Sequence, residues 1–235
     1  MMAHRITLAL PSKGRLMERS VEIFRQAGLT IEKNGHERGY LGTIREMPEV
    51  DIAFMSASEI AFSLRTGRIH MGITGEDLVR EYGPQTESHV VLLRPLGFGR
   101  ADVVVAVPGC WIDVNEMADL ENIAGDFGRE HGRPMRVATK YMNLTRRFFA
   151  ERGVSRYRIV ESLGATEGTP AAGSAEIVVD ITSTGATLEA NHLKVLADGL
   201  ILSSQACLFA SRGADWPPPA CAVRNDLIGR LATGH

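Results

Sequence analysis

The feature that most constrains this chain is an alternation. Short apolar runs, each about a strand long, are followed by a polar turn and then by a segment of helical period. Ile6 to Leu10 reads as a strand, and the turn Pro11-Ser12-Lys13-Gly14-Arg15 follows it. Leu16, Ser20, Ile23, Phe24 and Ala27 then recur on one face of a helix that stops at Gly28. The same order returns as strand Asp51 to Met55 with helix Ala57 to Arg65, and strand Ile69 to Ile73 with helix Glu76 to Glu81. Farther along come strands Val90 to Arg94 and Asp102 to Val107, then strand Met135 to Thr139 with helix Leu144 to Glu151. Strand Ile177 to Ile181 leads into a helix from about Gly185. A helix between two strands carries the chain back across the sheet, so the pattern predicts α/β architecture with mainly parallel sheets.

A length of 235 residues holds one large domain or two lobes. The softest internal junctions, Leu96-Gly97-Phe98-Gly99 and the Asp198-Gly199 turn, suggest a middle lobe over residues 97–195 and an outer lobe over 1–96 plus 196–235. With 44% hydrophobic and 23% charged residues the chain can bury a core, which excludes a disordered segment. A net charge of −2 gives no broad footprint for nucleic acid or an acidic membrane surface, so neither is expected as a partner. No apolar run approaches the roughly 18 residues of a membrane span. The N-terminal apolar stretch lacks a cleavage site of small residues, so a cytoplasmic location is expected. Cys110, Cys207 and Cys221 are odd in number, widely spaced and without a Cys-x-x-Cys pair, and read as reduced thiols. The seven histidines (His4, His36, His70, His89, His131, His192 and His235) form no ligand-spaced pair, so no metal site is expected from side chains alone. Trp216-Pro217-Pro218-Pro219 reads as a rigid surface turn.

The most informative stretch is Val178-Val179-Asp180-Ile181-Thr182-Ser183-Thr184-Gly185-Ala186-Thr187-Leu188. A buried strand ends in a carboxylate, and hydroxyls crowd around a glycine before a helix begins. A phosphate monoester needs short donors that converge without bulk, which free N–H groups at a helix start and Ser/Thr hydroxyls supply. Thr182, Ser183, Thr184, Gly185, Ala186 and Thr187 are therefore candidate phosphate ligands, with Asp180 placed to accept from sugar hydroxyls. A plain N-cap accounts for one or two of these hydroxyls. Glu167, on a loop bounded by Gly168 and Pro170, is a second sugar or metal ligand candidate, or a solvated carboxylate. Lys13 and Arg15 put two cations at another helix start, suited to pyrophosphate or triphosphate, yet the Walker order of Gly-Lys-Ser/Thr is absent. Lys140 and Tyr141 follow a strand end and precede Arg146-Arg147. Glu76 and Asp77 fit either a site or a favourable first helical turn. Nothing in the sequence offers a covalent nucleophile.

These residues resemble the ATP phosphoribosyltransferase family. The run Glu167 … Gly173-x-Ala175 … Val179-Asp180-Ile181-x-x-Thr184-Gly185-x-Thr187-Leu188 is similar to the family signature. So are Leu10-Pro11-Ser12-Lys13-Gly14-Arg15-Leu16, Met71-Gly72-Ile73-Thr74-Gly75-Glu76-Asp77-Leu78, Leu96-Gly97-Phe98-Gly99 and the block from Arg136 to Phe148, in family order. The resemblance implies two α/β lobes of periplasmic-binding-protein type II form, with substrate in the cleft between them. It implies transfer of 5-phosphoribosyl from phosphoribosyl pyrophosphate to N1 of ATP, with pyrophosphate released, as the first step of histidine biosynthesis. Mg²⁺ would be bound mainly through substrate phosphates.

In that reading Thr182 to Thr187 take the 5-phosphate, and Glu167 and Asp180 the ribose hydroxyls. Lys13 and Arg15 act electrostatically on the polyphosphates, and Lys140 and Tyr141 lie toward ATP. The chain ends soon after Ser211, so the resemblance is to the short form, which lacks a C-terminal regulatory domain. That form works as a homodimer within a hetero-oligomer containing a regulatory subunit that resembles histidyl-tRNA synthetase. The sequence departs from the family pattern at Ser56, where many members carry arginine, and at His70, Asp102 and Cys207. Two alternatives stay open: another phosphoribosyltransferase with a different acceptor base, or a non-catalytic cytosolic module that binds a phosphorylated ligand.

Overall fold

The computed structural model describes residues 5–33 and 40–233; His4, His36 and His235 lie outside them. In chain order the elements are β1 (Ile6–Pro11), α1 (Gly14–Gln26), β2 (Ile31–Lys33), β3 (Leu41–Ile44), β4 (Met47–Met55), α2 (Ala57–Arg65), β5 (Met71–Gly75), α3 (Glu76–Arg80), α4 (Thr86–His89) and β6 (Val90–Pro95). There follow β7 (Ala101–Pro108), α5 (Met117–His131), β8 (Met135–Thr139), α6 (Met142–Glu151), β9 (Tyr157–Glu161), β10 (Ile177–Thr182), α7 (Ala186–Ala190), β11 (Leu193–Ser204), β12 (Ala206–Ser211) and α8 (Pro218–Thr233). A single 3-10 turn covers Thr166–Gly168. The chain divides into two compact units, residues 1–99 with 205–235, and residues 100–204.

The first unit is a seven-stranded sheet in the order β2-β3-β4-β1-β5-β12-β6. Along β1 the side chains alternate between two cores, as the period of two demands. Ile6, Leu8 and Leu10 pack with Ile52, Phe24 of α1, and Leu227 and Leu231 of α8. Ala9 packs on the other side with Ile60 and Leu64 of α2 and Val79 of α3. Each fully buried Leu or Ile contributes about 1.5–3 kcal/mol of apolar burial, and that fixes the register of β1 between β4 and β5.

The second unit is a five-stranded sheet in the order β11-β7-β10-β8-β9. The unbroken apolar run Val103 to Val107 is a buried interior strand, which is why it does not alternate. Leu188 of α7 is buried with Val104, Ala106 and Val178, and so anchors the loop that precedes it.

The α/β class stands, but the sheets are mixed rather than mainly parallel. The pairs β1–β4, β1–β5, β8–β10 and β8–β9 are parallel. Among the described residues the remaining pairs are antiparallel, because β2, β3 and β4 follow one another without helices and β7, β11 and β12 enter their sheets from the opposite direction. The second unit runs through Ser204 rather than ending at residue 195. The Asp198-Gly199 pair interrupts the register of β11 instead of ending the strand. The prolines near the end do not form a separate turn either. Pro218 and Pro219 open α8, where the missing N–H groups have no helical acceptor to lose. No helix among the described residues is long and apolar enough to cross a membrane.

Candidate functional site

In the second unit three parallel strands end together: β8 at Thr139, β9 at Glu161 and β10 at Thr182. Ligands of α/β sheets gather at such carboxyl ends. The peptide N–H of Ser162 donates to the Thr139 carbonyl at 3.0 Å, and the Ser162 and Thr166 hydroxyls lie 3.0 Å apart. Thr166 is buried, sits between Ala165 (φ 50°) and Glu167, and hydrogen-bonds Asp180. Asp180 Oδ1 accepts the Ile181 N–H at 2.8 Å and lies 3.9 Å from Lys140 Nζ. Burial pushes the Asp180 carboxyl above the ordinary aspartate range, and nearby Glu167 adds to the push. The Ile181 N–H, Lys140 and Thr166 pull it back only in part.

The loop after β10 turns at Gly185, which adopts φ +79°, a conformation that suits glycine and strains a side chain. Its N–H donates to Thr182 Oγ1 at 2.8 Å, and the Ala186 N–H donates to Thr184 Oγ1 at 3.3 Å. Both hydroxyls therefore act as acceptors within the loop and keep their own protons for a ligand. Ser183, Thr184, Ala186 and Thr187 are exposed. The helix that follows has only five residues. The expected pull of a helix N-terminus is thus small, and the donors the loop presents are its hydroxyls and amides.

Lys140, Glu167, Asp180 and the loop 182–187 thus share one sheet edge. Tyr141, read from the sequence as lying toward ATP, is 1% exposed, with Lys140 Nζ 4.9 Å from its ring centroid, so it underpins the lysine from within the core. Two contributors had escaped the sequence reading. Thr166 is a common loop residue until the fold sets it against Asp180. Glu176 accepts from both Arg133 and Arg136 and so holds the segment before β10. Burial would raise the Glu176 carboxyl, but these hydrogen bonds bring it down to about 2.

Lys13 and Arg15 stand in the first unit, where β1, β4 and β5 end in parallel before α1, α2 and α3. The Ser12 N–H donates to the Met55 carbonyl at 2.8 Å, which ties two of these ends together. Both cations are exposed, and neither has an ion-pair partner among the described residues. The start of α1 carries no side-chain cap and no acid in its first turn. Ser56 caps α2 through a reciprocal box with Glu59. Where an arginine would project, this chain keeps a helix cap. Arg65 lies 5.1 Å from the Tyr82 ring. His70 accepts the Thr7 N–H at Nδ1 (3.0 Å), with Nε2 3.0 Å from the Asp215 carbonyl, so it joins β1 to the segment before α8. Asp77 is buried, and a Cβ on Gly75 would crowd its Oδ1. Cys207 is buried in β12 with its thiol pushed up to about 12, inert as a nucleophile. Among the described residues no group of three or more His, Cys, Asp or Glu side chains is arranged to hold a metal ion.

Two α/β units with these strand orders share the fold of periplasmic-binding-protein-like structures. An arginine-binding protein of Thermotoga maritima overlays it with a TM-score of 0.53 at 14% identity, over 98% of this chain and 94% of that one. The ATP phosphoribosyl transferase (HisG:HisZ) complex from Thermotoga maritima gives 0.71 at 23% identity, over 97% and 98%. The family model for HisG, ATP phosphoribosyltransferase, matches residues 56–231. The ATP phosphoribosyltransferase of Rhodopseudomonas palustris (strain BisB18) is 58% identical over 225 residues, which is 96% of this chain and 69% of that one. That of Mesorhizobium japonicum is 54% identical, over 97% and 98% of the two chains. The chain belongs to the ATP phosphoribosyltransferase family. Its reaction is pentosyl transfer, from phosphoribosyl pyrophosphate to ATP with release of pyrophosphate.

Proposed function

We propose that the loop 182–187 holds the 5-phosphate of phosphoribosyl pyrophosphate, with Asp180 and Glu167 accepting from its ribose hydroxyls. The observation that carries this is the grouping on one sheet edge of an exposed, hydroxyl-rich turn with a desolvated carboxylate, the polarity of a sugar phosphate laid out in order. Lys140 serves the ATP side and Tyr141 sets its position. Lys13 and Arg15 neutralise the polyphosphates and the departing pyrophosphate. The acceptor atom is N1 of adenine, and the step opens histidine biosynthesis.

Displacement at the anomeric carbon passes through a cation-like ribose. The chain therefore needs no nucleophile of its own and works by positioning and charge. Mg²⁺ fits this donor set only as an ion carried on substrate phosphates, since Asp180 and Glu167 offer two carboxylates and phosphates would complete such a shell. Bound there, it supplies charge neutralisation.

A regulatory subunit resembling histidyl-tRNA synthetase, joined to a homodimer of this chain, is the proposed partner. The named complex of the Thermotoga maritima protein supports it. The cytoplasm is the proposed location, because both substrates are multiply charged and do not cross membranes unaided.

The test is pyrophosphate release from ATP, phosphoribosyl pyrophosphate and Mg²⁺, with each omitted in turn, alone and with the candidate subunit. The reading predicts release only with both substrates, an N1-ribosylated product, and stimulation by the subunit. Release without ATP, or tight phosphoribosyl pyrophosphate binding with no turnover in either condition, contradicts it.

A further inference from the structure

A second feature of residues 100–204 lies at the other end of β9 from the strand-end site. Among the described residues β9 is the last strand of its sheet, so one side of its backbone has no strand partner. Its start is flanked by two cavities. One of about 700 Å³ lies along α6, lined by Arg146, Ala150, Tyr157, Arg158 and Ile159. The other, of about 510 Å³, lies along α5 and includes Gly125, Gly128, Arg156 and Tyr157. The Tyr157 ring is braced edge-on by Phe149 at 4.8 Å, and a Cβ on Gly125 would lie 2.6 Å from the Arg156 guanidinium.

The charges around the start of this edge lean basic, while Glu161 at its far end is a carboxylate on the strand itself. Arg147 pairs with Glu151 and Arg152 with Asp198, while Glu121 is engaged by Ser155. Arg146, Arg156 and Arg158 are exposed and form no ion pair among the described residues.

We propose that the β9 edge is a docking site for an extended acidic segment of a partner protein. The segment adds a strand to β9, sends apolar side chains into the flanking cavities and sets carboxylates against the three arginines. An open edge is otherwise a liability that chains blunt or cover, and arginines beside it select an acidic occupant over a neutral one. A second copy of this chain is the poorer occupant, since its β9 would bring the same three guanidiniums against these. The inference does not depend on the assignment of the strand-end site.

The probe is a synthetic peptide of about nine residues alternating Glu and Val, with a Lys/Val peptide as control. Binding is read by fluorescence anisotropy, and its position by hydrogen exchange of the full chain. The acidic peptide is expected to bind, to weaken with salt, and to protect the amides of 157–161. The double variant Arg156→Ala/Arg158→Ala should weaken it at least about tenfold while pyrophosphate release from ATP and phosphoribosyl pyrophosphate stays unchanged. Absence of binding, equal binding of the Lys/Val peptide, or protection elsewhere overturns the proposal. So does displacement of the peptide by equimolar inorganic phosphate, which marks a small-anion pocket. A fall in oligomeric state on Arg158→Glu marks a second copy as the occupant and likewise overturns it.

Discussion

The two units solve one topological problem with opposite chemistry. In each, a parallel core of three strands ends in loops: β4-β1-β5 in the first and β10-β8-β9 in the second. All of these strands but β9, which runs into the turn at Thr166–Gly168, lead into helices. The first edge carries two exposed cations, unpaired among the described residues, beside a long helix of 13 residues with no side-chain cap. The second carries hydroxyls, two carboxylates and one partly neutralised lysine beside a helix of five. Long-range charge belongs to the first edge, and short-range donor geometry to the second. Point charges bind any polyphosphate and weaken with salt, whereas a turn of fixed hydroxyls distinguishes a sugar phosphate by shape.

The largest expected effect comes from Gly185→Val. At φ +79° a β-branched side chain is strained by about 1–2 kcal/mol, and the loop amides move with it. Phosphoribosyl pyrophosphate binding, measured by calorimetry, should fall by more than about a hundredfold, or over 2.7 kcal/mol. Circular dichroism should still report the folded chain, because Leu188 keeps α7 anchored.

Next is the support behind the second edge. Glu176→Gln should cost about 2 kcal/mol of stability in urea unfolding, with phosphoribosyl pyrophosphate affinity little changed. Its carboxyl sits at about 2 when folded and near the ordinary glutamate value when unfolded. The stabilisation is therefore fully present above about pH 4.5 and is lost as pH falls toward 2. Glu176→Gln should remove that part of the acid-side slope.

Asp180 is smaller and opposite in sign. Burial raises its carboxyl, so it protonates at higher pH than an ordinary aspartate. Affinity for phosphoribosyl pyrophosphate should decline on the acid side, and Asp180→Asn should flatten that decline while weakening binding about tenfold. The smallest effect is on the first edge. Ser56→Ala removes the α2 cap and should cost about 1 kcal/mol of stability without altering the salt dependence of binding.

The sequence revealed local structure well where one segment carries the whole signal. The helix over Ala57–Arg65 was readable because it follows the strand Asp51 to Met55 in the strand–helix alternation, and the structure closes it with the Ser56–Glu59 cap. Strand β7 was readable because its apolar run is unbroken. By contrast α5 was missed: Gly125 and Gly128 interrupt its buried stripe of Met117, Leu120 and Ala124, and glycines there read as loop. The parallel centres were foreseen from strand–helix alternation, but the antiparallel flanks were not, since a strand's direction in a sheet depends on which edge it joins. In the candidate site the hydroxyl loop was legible as a contiguous run. The Lys140–Asp180 pairing and the Thr166 contact were not, because they arise only when β8, β10 and the turn at Thr166 converge. The burial of Tyr141 was hidden for the same reason, since its neighbours come from distant strands.

The contrast between the two edges is tested most directly by measuring phosphoribosyl pyrophosphate affinity across a salt series for two double variants. One is Ser183→Ala/Thr187→Val, at exposed positions of the hydroxyl loop; the other is Lys13→Ala/Arg15→Ala. The account predicts that losing the hydroxyls weakens binding at every salt concentration with the slope unchanged. Losing the cations should flatten the slope, leaving affinity at high salt close to that of the unaltered chain. A flattened slope in the hydroxyl variant, or an unchanged slope in the cation variant, contradicts the division of labour between the two edges.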